Sequence, residues 1–247
     1  AFCAPIKAQE SKQLLLGIEA GFCGLSSTIK NESIIRSKVY HYYDDYTSSG
    51  AYSTITKFNV GIKSEYFLVR DYVGLNFGVR YSQFQCKIGR TTLFEKNDEY
   101  FYFDVESDQK ANNYLRVKEI TQTTHYATIP LELRFFIFKP RFFRLYPKIG
   151  GEFGYALSNN TSVDFSNDKM QEYKDFVTDK LENPDKFYSS VFGAFGINIG
   201  KVDKMKINLE LQFPVFATNS KSYGIVTPGA GYGVQLYVQF PIFKTKK

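Results

Sequence analysis

The sequence predicts an all-β protein, an eight-stranded antiparallel transmembrane β-barrel with long extracellular loops, short periplasmic turns and a short helix in the third long loop. Three observations carry this. Eight segments alternate apolar and polar residues at period two, which is the signature of a strand. The segments run to about twelve residues, beyond the usual 5–6 and sufficient for the roughly 9–11 of a tilted membrane crossing. The connections between them alternate long and short, beginning and ending with long ones, as in outer-membrane barrels.

The first strand spans about Leu14–Leu25, with Leu16, Ile18, Ala20 and Phe22 on one face and Gly17, Glu19, Gly21 and Cys23 on the other. A Tyr-rich connection, about Ser26–Ile55, leads to the second strand, about Lys57–Val69. Arg70-Asp71-Tyr72 turns tightly into the third, about Val73–Cys86. After a second long connection, about Lys87–Thr123, comes the clearest hairpin, Ala127–Leu157. Its first arm alternates Ala127, Ile129, Leu131, Leu133, Phe135 and Ile137 with Thr128, Pro130, Glu132 and Arg134. Its second arm sets Leu145, Ile149, Phe153, Tyr155 and Leu157 against Lys148, Gly150, Glu152 and Gly154. In the third long connection, Met170, Tyr173, Phe176, Val177, Lys180 and Leu181 recur at helical spacing, with Ser166 or Asn167 to cap and Pro184 beyond. The last three strands fall at about Phe187–Gly200, Met205–Ala217 and Pro228–Phe243.

Composition agrees. The chain has 247 residues, a length that one β-barrel domain commonly fills. No run of about 18 apolar residues is present, which excludes a helical span but not a barrel, whose lipid face uses every second residue. Aromatics reach 17 %, with 24 Phe, 19 Tyr and no Trp. Two His and three Cys leave little material for a metal site, and no metal or other cofactor is expected. The net charge of +6 is spread along the chain, so nucleic acid is not an expected partner. Residues 1–8 read as the remnant of a secretory signal, with Ile6-Lys7-Ala8 ahead of a cleavage point, and 9–247 as a single barrel domain. A lipid anchor through Cys3 is the weaker reading, because Phe2 precedes it.

With the apolar faces turned outward, the interior inherits Glu19, Glu65, Glu132, Glu152 and Glu210 together with Lys63, Arg80, Arg134, Lys148 and Lys206. Eight strands enclose space only for their own side chains. Charges held there must be paired and hydrogen-bonded. The expectation is a closed barrel with a salt-bridged core, in which interleaved glycines make room for the long charged side chains. A lipocalin-like soluble calyx is the structural alternative; it would turn the apolar sets inward, and eight strands cannot hold so many Phe and Leu.

The stretch Tyr126–Phe135, with its Ile129-Pro130-Leu131 core, resembles a strand of the outer-membrane β-barrel family (PorT-like) common in Bacteroidetes. Pro147–Tyr155 is similar to the Gly-rich strand that follows it there, and Gly231–Leu236 with Phe240 and Phe243 resembles the general closing strand. Here four further residues, Lys244–Lys247, follow Phe243. The resemblance spans nearly the whole mature chain. It implies a bacterial outer-membrane location, and the even strand number with alternating long and short connections leaves both termini at the short-turn, periplasmic end. For some members the resemblance implies a link to protein secretion, but it implies no chemistry.

No catalytic residue is expected. His125 lies on the lipid-facing parity, where a barrel lipid deacylase would want a Ser two residues on, but position 127 is Ala; a rim histidine bonded to loop backbone is the simpler expectation. His41 sits among Tyr40, Tyr42, Tyr43, Asp44, Asp45 and Tyr46 with no specific Ser or Cys partner, and reads as part of a solvated aromatic loop. Glu132 and Glu152 have inward basic neighbours, which favours pairing over acid–base work. Cys23 and Cys86 point inward on strands separated by another, so free thiols are expected rather than a disulfide. Loops carry function. The candidate binding residues are Tyr40, Tyr42, Tyr43, Tyr46 and the run Tyr100, Phe101, Tyr102 and Phe103, split between a girdle or self-packing role and a contact surface. The expected function is non-enzymatic: binding through loops and outer wall, as an accessory subunit of an outer-membrane assembly or secretion complex. The partners would be outer-membrane lipid and other outer-membrane proteins or glycans. The alternatives are an outer-membrane hydrolase of lipid or peptide, and a small-solute channel.

Overall fold

A computed structural model describes residues 14–31, 34–36, 51–69, 72–89, 100–105, 113–138, 143–200 and 204–243. The expected signal remnant, the tyrosines at 40, 42, 43 and 46, and His41 lie outside the described residues. The elements are β1 (Leu14–Ile29), β2 (Ile35–Arg36), β3 (Tyr52–Val69), β4 (Val73–Gly89), β5 (Phe101–Val105), β6 (Asn113–Phe135) and β7 (Phe143–Phe165). A 3-10 turn (Asp168–Tyr173) then runs into α1 (Lys174–Lys180). After it come β8 (Phe187–Ile199), β9 (Lys206–Ala217), a second 3-10 turn (Ser220–Tyr223) and β10 (Val226–Phe243).

Eight of these strands form a closed antiparallel ring, β1-β3-β4-β6-β7-β8-β9-β10, sealed where β10 pairs with β1 and β6 with β7. Closure leaves no open edge, so every strand carries hydrogen-bonded neighbours on both sides, as lipid requires. Following partners from Glu19 through Gly61, Arg80 and Thr128 reaches Gly154 on β7. The other way, through Tyr237, Asn208 and Asn198, reaches Arg144. The two ends lie ten residues apart on one strand (154 − 144), and this stagger tilts the strands and sets a narrow interior.

Parity along the strands decides the two faces. Ile18, Ile62, Val79, Ile129, Ile149, Leu211 and Val234 are all exposed on the outer wall, while Glu19, Lys63, Arg80, Glu132 and Glu210 are buried inside. So broad an apolar exterior belongs in a membrane, and the soluble calyx is excluded, because the Phe and Leu it would need inside face out.

Two strands exceed their expected bounds. β6 begins at Asn113 and β7 ends at Phe165, and both rise past the rest of the ring. There β5 pairs with upper β6 and β2 pairs with β5. The helix expected around Met170–Leu181 splits into a 3-10 turn and a seven-residue α1; of the two candidate caps, Asn167 is the one whose side chain accepts from the Lys169 N–H.

Candidate functional site

One interior region and one exterior shelf concentrate the polar chemistry, and an apolar plug fills the interior above the first. In the middle of the barrel the buried charges form one continuous network. Arg80 from β4 is its centre. Its guanidinium bonds both carboxylate oxygens of Glu19, and reaches Glu132 at 2.7 Å and Glu152 at 3.2 Å. Lys63 joins Glu19 at 2.6 Å and Glu132 at 2.9 Å. Lys148 joins Glu132 at 3.0 Å and also bonds Glu210. Arg134 pairs with Glu210 at 3.0 Å and Glu65 at 3.1 Å, stacked 4.2 Å from the Tyr146 ring. Remaining lone pairs are filled by neutral donors: Tyr146 to Glu210 at 2.9 Å, Ser82 to Glu152 at 3.2 Å, and the Gln235 and Gln239 amides to Glu19 and Glu65. Ion pairing together with this hydrogen bonding is the condition under which charges survive out of water.

Nine of the ten expected charges therefore meet in one network: Glu19, Lys63, Glu65, Arg80, Glu132, Arg134, Lys148, Glu152 and Glu210. The tenth, Lys206, is buried nearer the short-turn end, its ammonium 5.7 Å from the Phe67 ring. The fifth cation of the network is instead Lys57, 2.5 Å from Glu152. Its odd number gives it the inward parity of Asn59, Gly61 and Lys63, so the signal was present in the pattern. Tyr146 and Arg144 share the parity of Lys148 in the same way and are also buried. The glycines do make room. A Cβ on Gly61 would come within 2.8 Å of the Arg80 side chain, and one on Gly196 within 2.4 Å of the Tyr146 ring.

Above this network, towards the long loops, the interior changes to an apolar plug. Phe84 is ringed by Tyr126, Tyr188 and Tyr223, with centroids 5.3, 4.6 and 5.6 Å away. Leu25, Ile55, Ile88, Ile120, Val163 and Val177 complete the packing. The Tyr126 hydroxyl donates to the Asp185 and Ser222 carbonyls, tying the chain that leads into β8 and the second 3-10 turn down onto the barrel. Cys23 and Cys86 are buried here as free thiols. Lys57 stands at the join, its ammonium 5.3 Å from the Phe84 ring and 5.2 Å from that of Tyr188.

The aromatic run at 100–103 divides. Phe101 and Phe103 are buried in the plug cluster, which gives these two the self-packing role and removes them from the candidate contact surface. The cause is a register shift in β6 between Val117 and Glu119. A bulge of this kind reverses which parity faces in. Above it Leu115 and Val117 turn inward with Phe101 and Phe103 as cross-strand partners, while Tyr100, Tyr102, Tyr114 and Arg116 form the outer face. His125 also departs from expectation: Nδ1 lies 2.5 Å from the Tyr81 hydroxyl on the neighbouring strand, not on loop backbone. Among the described residues no cluster of His, Cys, Asp or Glu could hold a metal ion.

A closed ring with an apolar exterior and a filled interior defines a transmembrane β-barrel protein. The family described as outer membrane protein beta-barrel domain matches residues 7–216, and the chain belongs to that family, whose members reside in the bacterial outer membrane. The PorT-like subdivision is not part of that match. Among solved structures, the chain is similar to the outer membrane protein OprG from Pseudomonas aeruginosa (11 % identity, 94 % of this chain and 97 % of that chain, TM-score 0.45). It is also similar to Ail, the attachment invasion locus protein of Yersinia pestis (13 %, 92 % and 98 %, 0.33). A third is the outer membrane protein AlkL in lipid bilayers (14 %, 100 % and 97 %, 0.38). No curated protein matches the chain.

Proposed function

We propose that this protein is a closed, non-enzymatic outer-membrane barrel that acts by binding, through the surface above its long-loop end and its outer wall, as an accessory subunit of an outer-membrane assembly or secretion complex. The observation that carries the reading is the filled interior. Ion pairs occupy the middle and aromatic rings the upper part, which supports a binding role over a solute path. The short turns and both termini would face the periplasm and the long loops the exterior. The PorT-like resemblance of the Ile129-Pro130-Leu131 strand supports the secretion link.

Two measurements test this. In planar bilayers the purified protein should show no steady single-channel conductance; stable conductance would replace the binding reading with the channel. Co-purification from native membranes in mild detergent should recover stoichiometric outer-membrane partners; recovery of the barrel alone would remove the accessory role.

A further inference from the structure

The outer face of β5 and upper β6 carries an arrangement that membrane insertion does not require. Tyr102 stands opposite Arg116 in register, and Asp104 opposite Tyr114. The rings pack edge to face, Tyr100 with Tyr102 at 5.4 Å and Tyr102 with Tyr114 at 5.8 Å, and the Arg116 guanidinium lies 4.8 Å from the Tyr100 ring. Each ring is held by its neighbours, so the shelf is ordered before any ligand arrives. Beside it opens a groove of about 600 Å³ lined by Tyr114, Arg116, Ser166, Asn167, Asp168 and Met170, within the usual range of ligand sites. From Ala127, level in register with the outward Tyr81 and Tyr155, up to Arg116 is roughly 35 Å of strand at about 3.4 Å per residue. The shelf therefore stands clear of the hydrocarbon.

We propose that this shelf and groove form a saccharide-binding site. The proposal rests on the binding reading above and deepens it. The donor set selects the ligand class. Tyrosine rings accept the C–H faces of a sugar while their hydroxyls bond its rim. Arg116 supplies fixed paired donors, Asp168 a paired acceptor, and Ser166 and Asn167 further polar atoms; adjacent hydroxyls on a sugar ring satisfy both kinds at once. An apolar ligand would cover the exposed Arg116 and Asp168 and offer neither of them a hydrogen bond. A polyanion would meet the Asp168 carboxylate. Two sources offer this chemistry: the uncharged outer sugars of lipopolysaccharide in the same membrane, and glycans from outside it.

The test uses the full chain in nanodiscs of phospholipid free of lipopolysaccharide. The probes are an array of bacterial and host oligosaccharides and, separately, purified lipopolysaccharide. The wild type should retain at least one probe. Tyr114→Ala and Arg116→Ala should each lower retention about tenfold or more, while Lys221→Ala, on the β9–β10 connection, should leave it within twofold. Retention of lipopolysaccharide alone assigns the site to the protein's own membrane; retention of free oligosaccharides assigns it to external glycans. If no probe is retained, or the alanine variants retain it like the wild type while their heat-modifiability on gels is unchanged, the site is overturned. Conductance separates the two failures: a blank array on a silent barrel overturns the site only, whereas a conducting barrel overturns the binding reading itself.

Discussion

The middle of the barrel and its upper part are built from the same strands, yet one is filled with charge and the other with rings and aliphatic side chains. The difference lies in what surrounds the wall. In the hydrocarbon, a leucine gains nothing by turning inward, because lipid is as apolar as a protein core. What cannot face lipid is a charge, so charged and hydrogen-bonding side chains collect inside and pair with one another. Above the membrane, water returns to the outer face and apolar burial again drives packing. There Phe84, Tyr126, Tyr188 and Tyr223 take the interior, and Tyr100, Tyr102 and Arg116 face out. Lys57, between Glu152 and the Phe84 and Tyr188 rings, marks where one regime gives way to the other.

The largest effect is expected at Arg80. Replacing it with Leu strands Glu19, Glu132 and Glu152 without their shared cation, and removing one partner of a buried pair costs about 3–5 kcal/mol. The temperature at which the compact band is lost on heating in detergent gels should fall markedly. In the plug, Ile120→Val removes one methylene from a fully buried position and should cost about 0.5–1.5 kcal/mol, a visibly smaller drop in the same assay. If the order of these two is reversed, the ionic middle is not the principal brace. At the exposed rim, Lys87→Ala breaks a 3.0 Å pair with Glu119 that water already screens. That change should cost well under about 1 kcal/mol and leave the transition in place. The two regions should also seal independently. Arg80→Ala and Phe84→Ala each leave the other layer filled and should stay silent in planar bilayers, whereas the double variant should conduct. Conductance from either single variant would show that one layer alone closes the barrel.

Much of this architecture could be read before any coordinates. Alternation placed eight strands, chose their lipid face and put nine network charges inside, because a period-two pattern in a closed ring has only one consistent assignment. The same parity pointed to Lys57 and Tyr146, whose strand-mates Lys63 and Lys148 were already assigned inward. The plug was harder to see. Tyr223 and Val177 come from connections distant in sequence, and nothing local says that they join the buried cluster around Phe84.

By itself, then, the sequence determined the barrel, its strand number, its outer wall and the charge held within it. These follow from local alternation repeated along the chain, which lipid enforces residue by residue. Only the tertiary structure decided which carboxylate meets which base, since that depends on the ten-residue stagger summed around the whole ring. It also decided the inward turn of Phe101 and Phe103, because one register shift beside Val117 reverses parity above it and leaves no mark in the composition.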